Sequence, residues 1–167
     1  MVAFWIFQWL PRIENFRADL LSRFIDKDDW SLNASVFNML NNKWGPHSID
    51  RFSSHHNNQV QRFNSRFFSP GCAGVDVLAQ SWSSENNWLY PPVHLIPATL
   101  RHLGKHKGTG TLIVPEWPSA SFWPLIHNSP SSFASFVQEV VVLPRIADLL
   151  IEGPGQKAYY RSSVFTG

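Results

Sequence analysis

The chain has 167 residues, of which 44% are hydrophobic and only 16% charged, with a formal net charge of +2. That length holds one domain, or one domain and a fragment of another, and the apolar share excludes a disordered polymer. The modest charge does not by itself mark a nucleic-acid binder, and the single cysteine, Cys72, excludes an internal disulfide framework and a cysteine zinc site while pointing to a reducing, intracellular setting.

Residues 2–9, Val-Ala-Phe-Trp-Ile-Phe-Gln-Trp, predict a strand. The run is too short for a membrane span, Gln8 interrupts it, and it lacks a basic flank and a cleavage site, so neither a membrane partner nor a signal peptide is expected. A strand apolar on both faces needs a neighbour on each side, and the chain is therefore expected to start inside a domain. Pro11 ends the strand, and Asn15 is placed to cap a helix over 16–25. The acidic stretch 26–29 marks a boundary between residues 1–28 and 29–167. Leu32, Val36, Phe37 and Leu40 predict a helix over 31–42, broken at Gly45-Pro46.

A short strand is expected over 49–52, then mostly loop over 53–69. A second strand over 87–90 stops at Pro91-Pro92, and Leu95, Ala98, Leu100 and Leu103 give a helix ending before the Gly104 to Gly110 turn. Residues 111–114, Thr-Leu-Ile-Val, form a buried strand stopped by Pro115. A short helix over 121–126, helix or loop over 133–137, a buried strand over 140–143 and an edge strand over 158–165 complete the reading. The rhythm is that of an α/β fold with a small, doubly wound, mostly parallel sheet. Eight Trp and thirteen Phe predict a large aromatic core, with a partner-facing aromatic patch as the alternative.

Several constellations bear on chemistry. Arg51, Arg62 and Arg66, interleaved with Phe63, Phe67 and Phe68, have the pattern of a single-strand-binding stripe, or of a loop whose rings anchor in the core. Lys105 and Lys107, with Arg101 and His106, make a second basic patch. His47, His55 and His56 are close in sequence, and His102 and His106 share a helix face, but zinc would need a third ligand. There is no Walker loop, no G-x-G-x-x-G, no G-x-S-x-G and no HExxH.

Trp9-Leu10-Pro11, then Asn15, Ala18-Asp19 and Leu21-Ser22-Arg23, resemble the closing motif of retroelement ribonuclease H domains, W-[IV]-P followed by N-x-x-A-D-x-L-S-R. The resemblance implies that Asp19 is one of four carboxylates holding two divalent metals such as Mg2+. The other three belong to earlier segments, so Asp19 is expected to be orphaned here and residues 1–28 to form an isolated strand-helix remnant. Its structural alternative is an acid favoured by a helix N-terminus.

Residues 32–126 resemble the segment that follows ribonuclease H in DIRS-type retroelements, which is similar to phage Dam-type N6-adenine methyltransferases. Ile49-Asp50-Arg51-Phe52-Ser53-Ser54-His55-His56-Asn57 resembles the D-x-x-A-S-x-x-N turn, and Asp76, Trp82 and Trp88-Leu89-Tyr90-Pro91-Pro92-Val93 follow in the family's order. Leu112-Ile113-Val114-Pro115 and Phe122-Trp123 close the match. The resemblance implies a Rossmann-like methyltransferase sheet, with Asp50 and Asp76 toward S-adenosylmethionine and Tyr90, Pro91, Pro92 and Val93 at the N-P-P-Y position that grips a flipped adenine. It requires Asp50 and Pro91 at neighbouring tips of a parallel sheet. Tyr90 replaces the Asn and Val93 replaces the stacking ring, so methyl transfer is expected to be lost and no cofactor is expected in the fragment. The expected role is non-catalytic: binding DNA or an RNA–DNA hybrid, or bracing a reverse transcriptase–ribonuclease H body. The alternatives are an active S-adenosylmethionine-dependent adenine methyltransferase with a variant motif, and a domesticated protein-interaction module.

Overall fold

The computed structural model describes residues 3–8, 31–143 and 150–151. Five strands, β1 (Ala3–Gln8), β2 (Ile49–Asp50), β3 (Asn86–Leu89), β4 (Thr109–Val114) and β5 (Val137–Val142), form one sheet in the order β5-β1-β4-β3-β2. Every pairing is parallel. The α/β class and the parallel sheet expected from the strand-helix rhythm are therefore present.

The first strand corrects one expectation. It is not isolated, since Ala3 to Gln8 pair with Thr109 to Val114 on one side and Phe4 to Gln8 pair with the Val137 to Val142 strand on the other. A strand apolar on both faces is stable only inside a sheet, and the strands formed by residues 109–114 and 137–142 supply the two neighbours. The helix expected over 16–25, Asp19 itself and the strand expected over 158–165 lie outside the described residues.

Helices cover both faces. On one, α1 (Ala34–Trp44) buries Val36, Phe37, Leu40 and Trp44, which pack with Leu32, Trp88, Ile113 and Leu143. On the other, α2 (Ile96–Lys105) buries Ile96 and Leu103 with Trp82, Leu89, Leu112, Val114 and Phe122. Alternate side chains of β3 and β4 go to opposite clusters, as the pleat requires. Each fully buried large apolar side chain contributes roughly 1.5–3 kcal/mol. Gly110 is a forced choice in β4, because a Cβ there would sit 2.3 Å from the Asn87 carbonyl oxygen.

The Asn33 side chain caps α1 by accepting from the Ser35 amide at 2.8 Å. The helix starts later than its apolar spacing predicts, because Ser31–Leu32 is drawn into an antiparallel pair with Leu150–Ile151. Pro97 lies in the first turn of α2, where its missing N–H costs nothing. A further short helix, α3 (Trp123–Ile126), leads into a hairpin of His127–Ser129 with Ser132–Phe133, and of the segment 133–137 expected as helix or loop, residues 134–136 are loop. Among the described residues, no helix is long and apolar enough to cross a membrane.

Candidate functional site at the strand tips

In an open parallel sheet, ligands bind where the carboxyl ends of the strands leave a crevice. Asp50 is the last residue of β2 and pairs in register with Trp88 of β3. The Arg51 amide donates to the Trp88 carbonyl at 3.0 Å, which fixes the two tips against each other. Tyr90 and Pro91 follow directly on β3. Asp50 and Pro91 thus stand at neighbouring tips.

Asp50 is 2% exposed. Its Oδ2 accepts from the Gln59 amide at 2.9 Å, while Oδ1 has no hydrogen-bond partner, and neither has the buried Ser53 hydroxyl. Burial drives the Asp50 carboxyl up to about 7, opposed by the Gln59 and Phe52 amides and by Ser53, whose hydroxyl favours the carboxylate without meeting hydrogen-bond geometry. Near neutral pH the group is therefore shared between acid and carboxylate forms. Asp50, Ser53, Asn57, Gln59, Trp88 and Tyr90 line a recess of about 10 Å³, roughly the space one water needs. Tyr90 is only partly exposed, and desolvation pushes its phenol pKa upward, so the hydroxyl is neutral.

The remaining candidates separate. Pro91 and Pro92 are buried, and Val93 opens the short 3-10 turn Val93–Leu95 and packs into the cluster of Leu89 and Ile96. Asp76 does not line the recess. It is exposed, sits in the left-handed region at φ 55°, and starts the 3-10 turn Val77–Ala79, a conformation that Asp tolerates better than most residues.

No protein-family model matches the chain, and no curated protein or solved structure does.

The basic residues divide sharply. Arg51, expected to face nucleic acid, is 3% exposed and points inward. Its Nε donates to Asn87 Oδ1 at 2.8 Å, one terminal nitrogen to Asn64 Oδ1 at 2.7 Å and the other to the Ser81 carbonyl at 2.9 Å. The guanidinium lies 5.5 Å from the Trp82 ring centroid. Burial pushes its pKa down to about 10, and the Glu85 charge partly restores it. Each of the three guanidinium nitrogens meets an acceptor and the Trp82 ring packs against the group, so Arg51 is a core residue. Arg62 is exposed and ion-paired to Glu85 at 3.0 Å. Arg66 is exposed, with its guanidinium 5.2 Å from the Phe67 ring centroid. Phe63 is buried at 4%, whereas Phe67 and Phe68 are 71% and 85% exposed. The anchoring alternative thus describes Phe63 and fails for the other two rings. Lys105, Lys107 and Arg101 are exposed where α2 turns into the start of β4, at the opposite end of the strands from Asp50.

The histidines make internal contacts. His47 is buried between Asn41 Oδ1 and Thr111 Oγ1, each 2.7 Å from a ring nitrogen, and burial lowers its pKa to about 4. His102 contacts the Gln80 carbonyl at 2.7 Å and its ring packs 4.1 Å from that of His106. The His55 ring lies 3.7 Å from that of His56 and contacts Ser69 Oγ. Among the described residues, no three metal-ligating side chains converge.

Sequence reasoning missed Ser53, Gln59 and the amides of Asn64 and Asn87. Ser53 had a signal, since a hydroxyl three residues after an Asp is turn chemistry. Gln59 contributes its backbone, which no side-chain pattern announces.

Proposed function

We propose that the chain is part of a DIRS-type retroelement polyprotein. In this reading residues 1–28 derive from the end of its ribonuclease H domain but lend their strand to the sheet, and the rest is a methyltransferase-like module whose doubly wound, Rossmann-like sheet is completed by that strand and transfers no methyl groups. Its work is to hold nucleic acid beside the reverse transcriptase–ribonuclease H body. What supports this is the motif order along the chain together with Asp50 and Tyr90-Pro91 on adjacent parallel tips.

One observation carries the loss of catalysis: Tyr90 stands where an adenine-gripping amide is needed, beside a recess of about 10 Å³. An adenine amino group is a poor nucleophile, and a methyltransferase positions it with an amide oxygen and a carbonyl. A phenol offers a donor as well as an acceptor on a rigid ring and cannot take the amide's place. Asp19 alone cannot hold a pair of Mg2+ ions, since a two-metal site needs several carboxylates.

The purified chain should give no heat with S-adenosylmethionine in titration calorimetry and no methylated adenine from duplex or single-stranded DNA. Methylated adenine formed by the wild-type chain would refute the proposal. The Tyr90→Asn variant sharpens the result, because a gain of methyl transfer would show that only the amide is missing.

One observation favours the second reading, an active adenine methyltransferase. Asp50 Oδ1 and Ser53 Oγ are buried and unpartnered at the strand tips, and such groups suit the hydroxyl or amino hydrogens of a bound nucleoside.

A further inference from the structure

The segment 66–73 stands out from the body as a loop with a tied base. Asn64–Ser65 pairs with Gly74–Val75, and the Ala73 amide donates to the Phe63 carbonyl at 2.7 Å. Inside the loop, the Ser65 hydroxyl donates to the Phe67 carbonyl and the Cys72 amide to the Ser69 carbonyl. Ser69 is buried at 5% and accepts from the His55 amide at 3.0 Å. The loop is thus built from below, yet it presents Phe67 and Phe68 at 71% and 85% exposure. Two neighbouring phenyl rings held in water on an ordered loop gain nothing for folding, and an exposed apolar feature of this kind marks a binding site.

The charge around the rings selects the occupant. From Arg51 to Val75 the chain contains no Asp or Glu, and the basic side chains at the rings are Arg66, His55 and His56, since Arg51 is buried and Arg62 is paired with Glu85. Arg66 leans over Phe67, and the His55–His56 pair reaches the loop through Ser69. The nearest acids in sequence are Asp50, which is buried, and Asp76, which follows the loop; Glu85 is engaged by Arg62. Exposed rings beside cations, in a segment without acids, are what a single strand needs: bases stack on the rings and phosphates meet the cations. A duplex hides its base faces, and an apolar protein partner would have to bury Arg66.

We infer that the Arg66-Phe67-Phe68 loop, with His55 and His56 beside it, is a stacking platform for single-stranded nucleic acid. This rests on the nucleic-acid role proposed above and names its site and its ligand.

The test uses the full chain and a labelled oligodeoxythymidine of about 12 nucleotides, a length within the range single-strand sites cover, followed by fluorescence anisotropy across a salt series. Phe67→Ala and Phe68→Ala should each weaken binding by about tenfold. Arg66→Ala should reduce the slope of log affinity against log salt by about 0.7. Unchanged thermal melting of the variants excludes unfolding as the cause. If the oligonucleotide binds and the three variants bind equally well, the inference is overturned while the nucleic-acid role stands. Binding of duplex without binding of single strand has the same consequence. If neither form binds at low salt, the role itself falls. Loss of self-association in the Phe variants during sedimentation, with no nucleic acid bound by the parent, would make the loop a contact between copies instead.

Discussion

Asp50 and Arg51 are neighbours in sequence, opposite in charge and both buried, yet they belong to two different polar clusters. Arg51 turns into a network where each nitrogen of the guanidinium meets an acceptor and the Trp82 ring closes the face. Asp50 turns to the strand tips with one oxygen held by Gln59 and the other unpartnered, beside an equally unpartnered Ser53. A satisfied buried network rigidifies a fold, whereas an unsatisfied one is a cost that folding alone does not explain. The difference marks Arg51 as architecture and leaves Asp50 with a buried oxygen that the fold does not use.

The largest effect should come from breaking the satisfied side. Arg51→Met keeps the bulk but leaves Asn87 Oδ1, Asn64 Oδ1 and the Ser81 carbonyl without their donor. Stranded buried acceptors cost about 1–3 kcal/mol apiece, and breaking a buried charged network costs about 3–5 kcal/mol. That is a large part of the total stability of an ordinary domain, about 5–15 kcal/mol. Urea unfolding followed by tryptophan fluorescence should show it. Arg51→Lys should recover only part, since an ammonium cannot span three separated acceptors as a planar fork does. A loss below about 1 kcal/mol for Arg51→Met would mean the network is not structural.

The unsatisfied side is probed by pH. The Asp50 carboxyl has a folded pKa of about 7 against 3.8, so the folded state holds its proton more tightly. Its contribution is full at low pH and is lost as pH rises from about 4 through 7, amounting to as much as about 4 kcal/mol. His47 has the opposite sign. Its folded pKa of about 4 against 6.5 gives a contribution that is full above pH 6.5 and is lost as pH falls toward 4, about 3 kcal/mol. The two slopes nearly cancel between pH 4 and 6.5. Asp50→Asn should uncover the His47 slope, so that stability rises with pH, and should make the protein more stable than the parent at pH 8. His47→Gln should uncover the Asp50 slope, so that stability falls with pH. A stabilising change at Asp50 is what a site kept for binding predicts. Parallel profiles for parent and Asp50→Asn would place Asp50 in the architecture with Arg51.

Much of the sheet was legible because it is written in contiguous runs. The strand read over 111–114 and the helix read through Leu103 are each set by local periodicity and by a Pro or Gly at the border, although the strand starts at Thr109 and the helix runs on through Lys105, inside the stretch read as a turn. The position of Asp50 beside Pro91 was readable from motif order, because strand tips in a parallel sheet are where such turns must fall. The inward turn of Arg51 was not readable. Its partners lie 36, 13 and 30 residues away and are amide and carbonyl oxygens, which leave no charge pattern to pair with an arginine. The exposure of Phe67 and Phe68 was equally hidden, since Phe63 follows an arginine just as Phe67 does and is buried. Only the tied base of the loop decides which rings point out.

The smallest expected effect tests whether the Arg51 network ends inside the protein. Arg62 pairs with Glu85 at the surface, and its own charge disfavours the Arg51 guanidinium. Arg62→Ala removes an exposed ion pair worth at most about 1 kcal/mol and relieves that repulsion, so the two changes offset each other. Stability should move by less than about 0.5 kcal/mol in the same urea series. Single-strand binding should weaken less than with Arg66→Ala, because the Glu85 carboxylate already neutralises Arg62. A cost above about 2 kcal/mol, far outside the range of surface pairs, would mean that Glu85 carries the support of Arg51 out to the surface. The cluster around Arg51 would then be open as well, and the contrast with Asp50 would rest on the unpartnered oxygens alone.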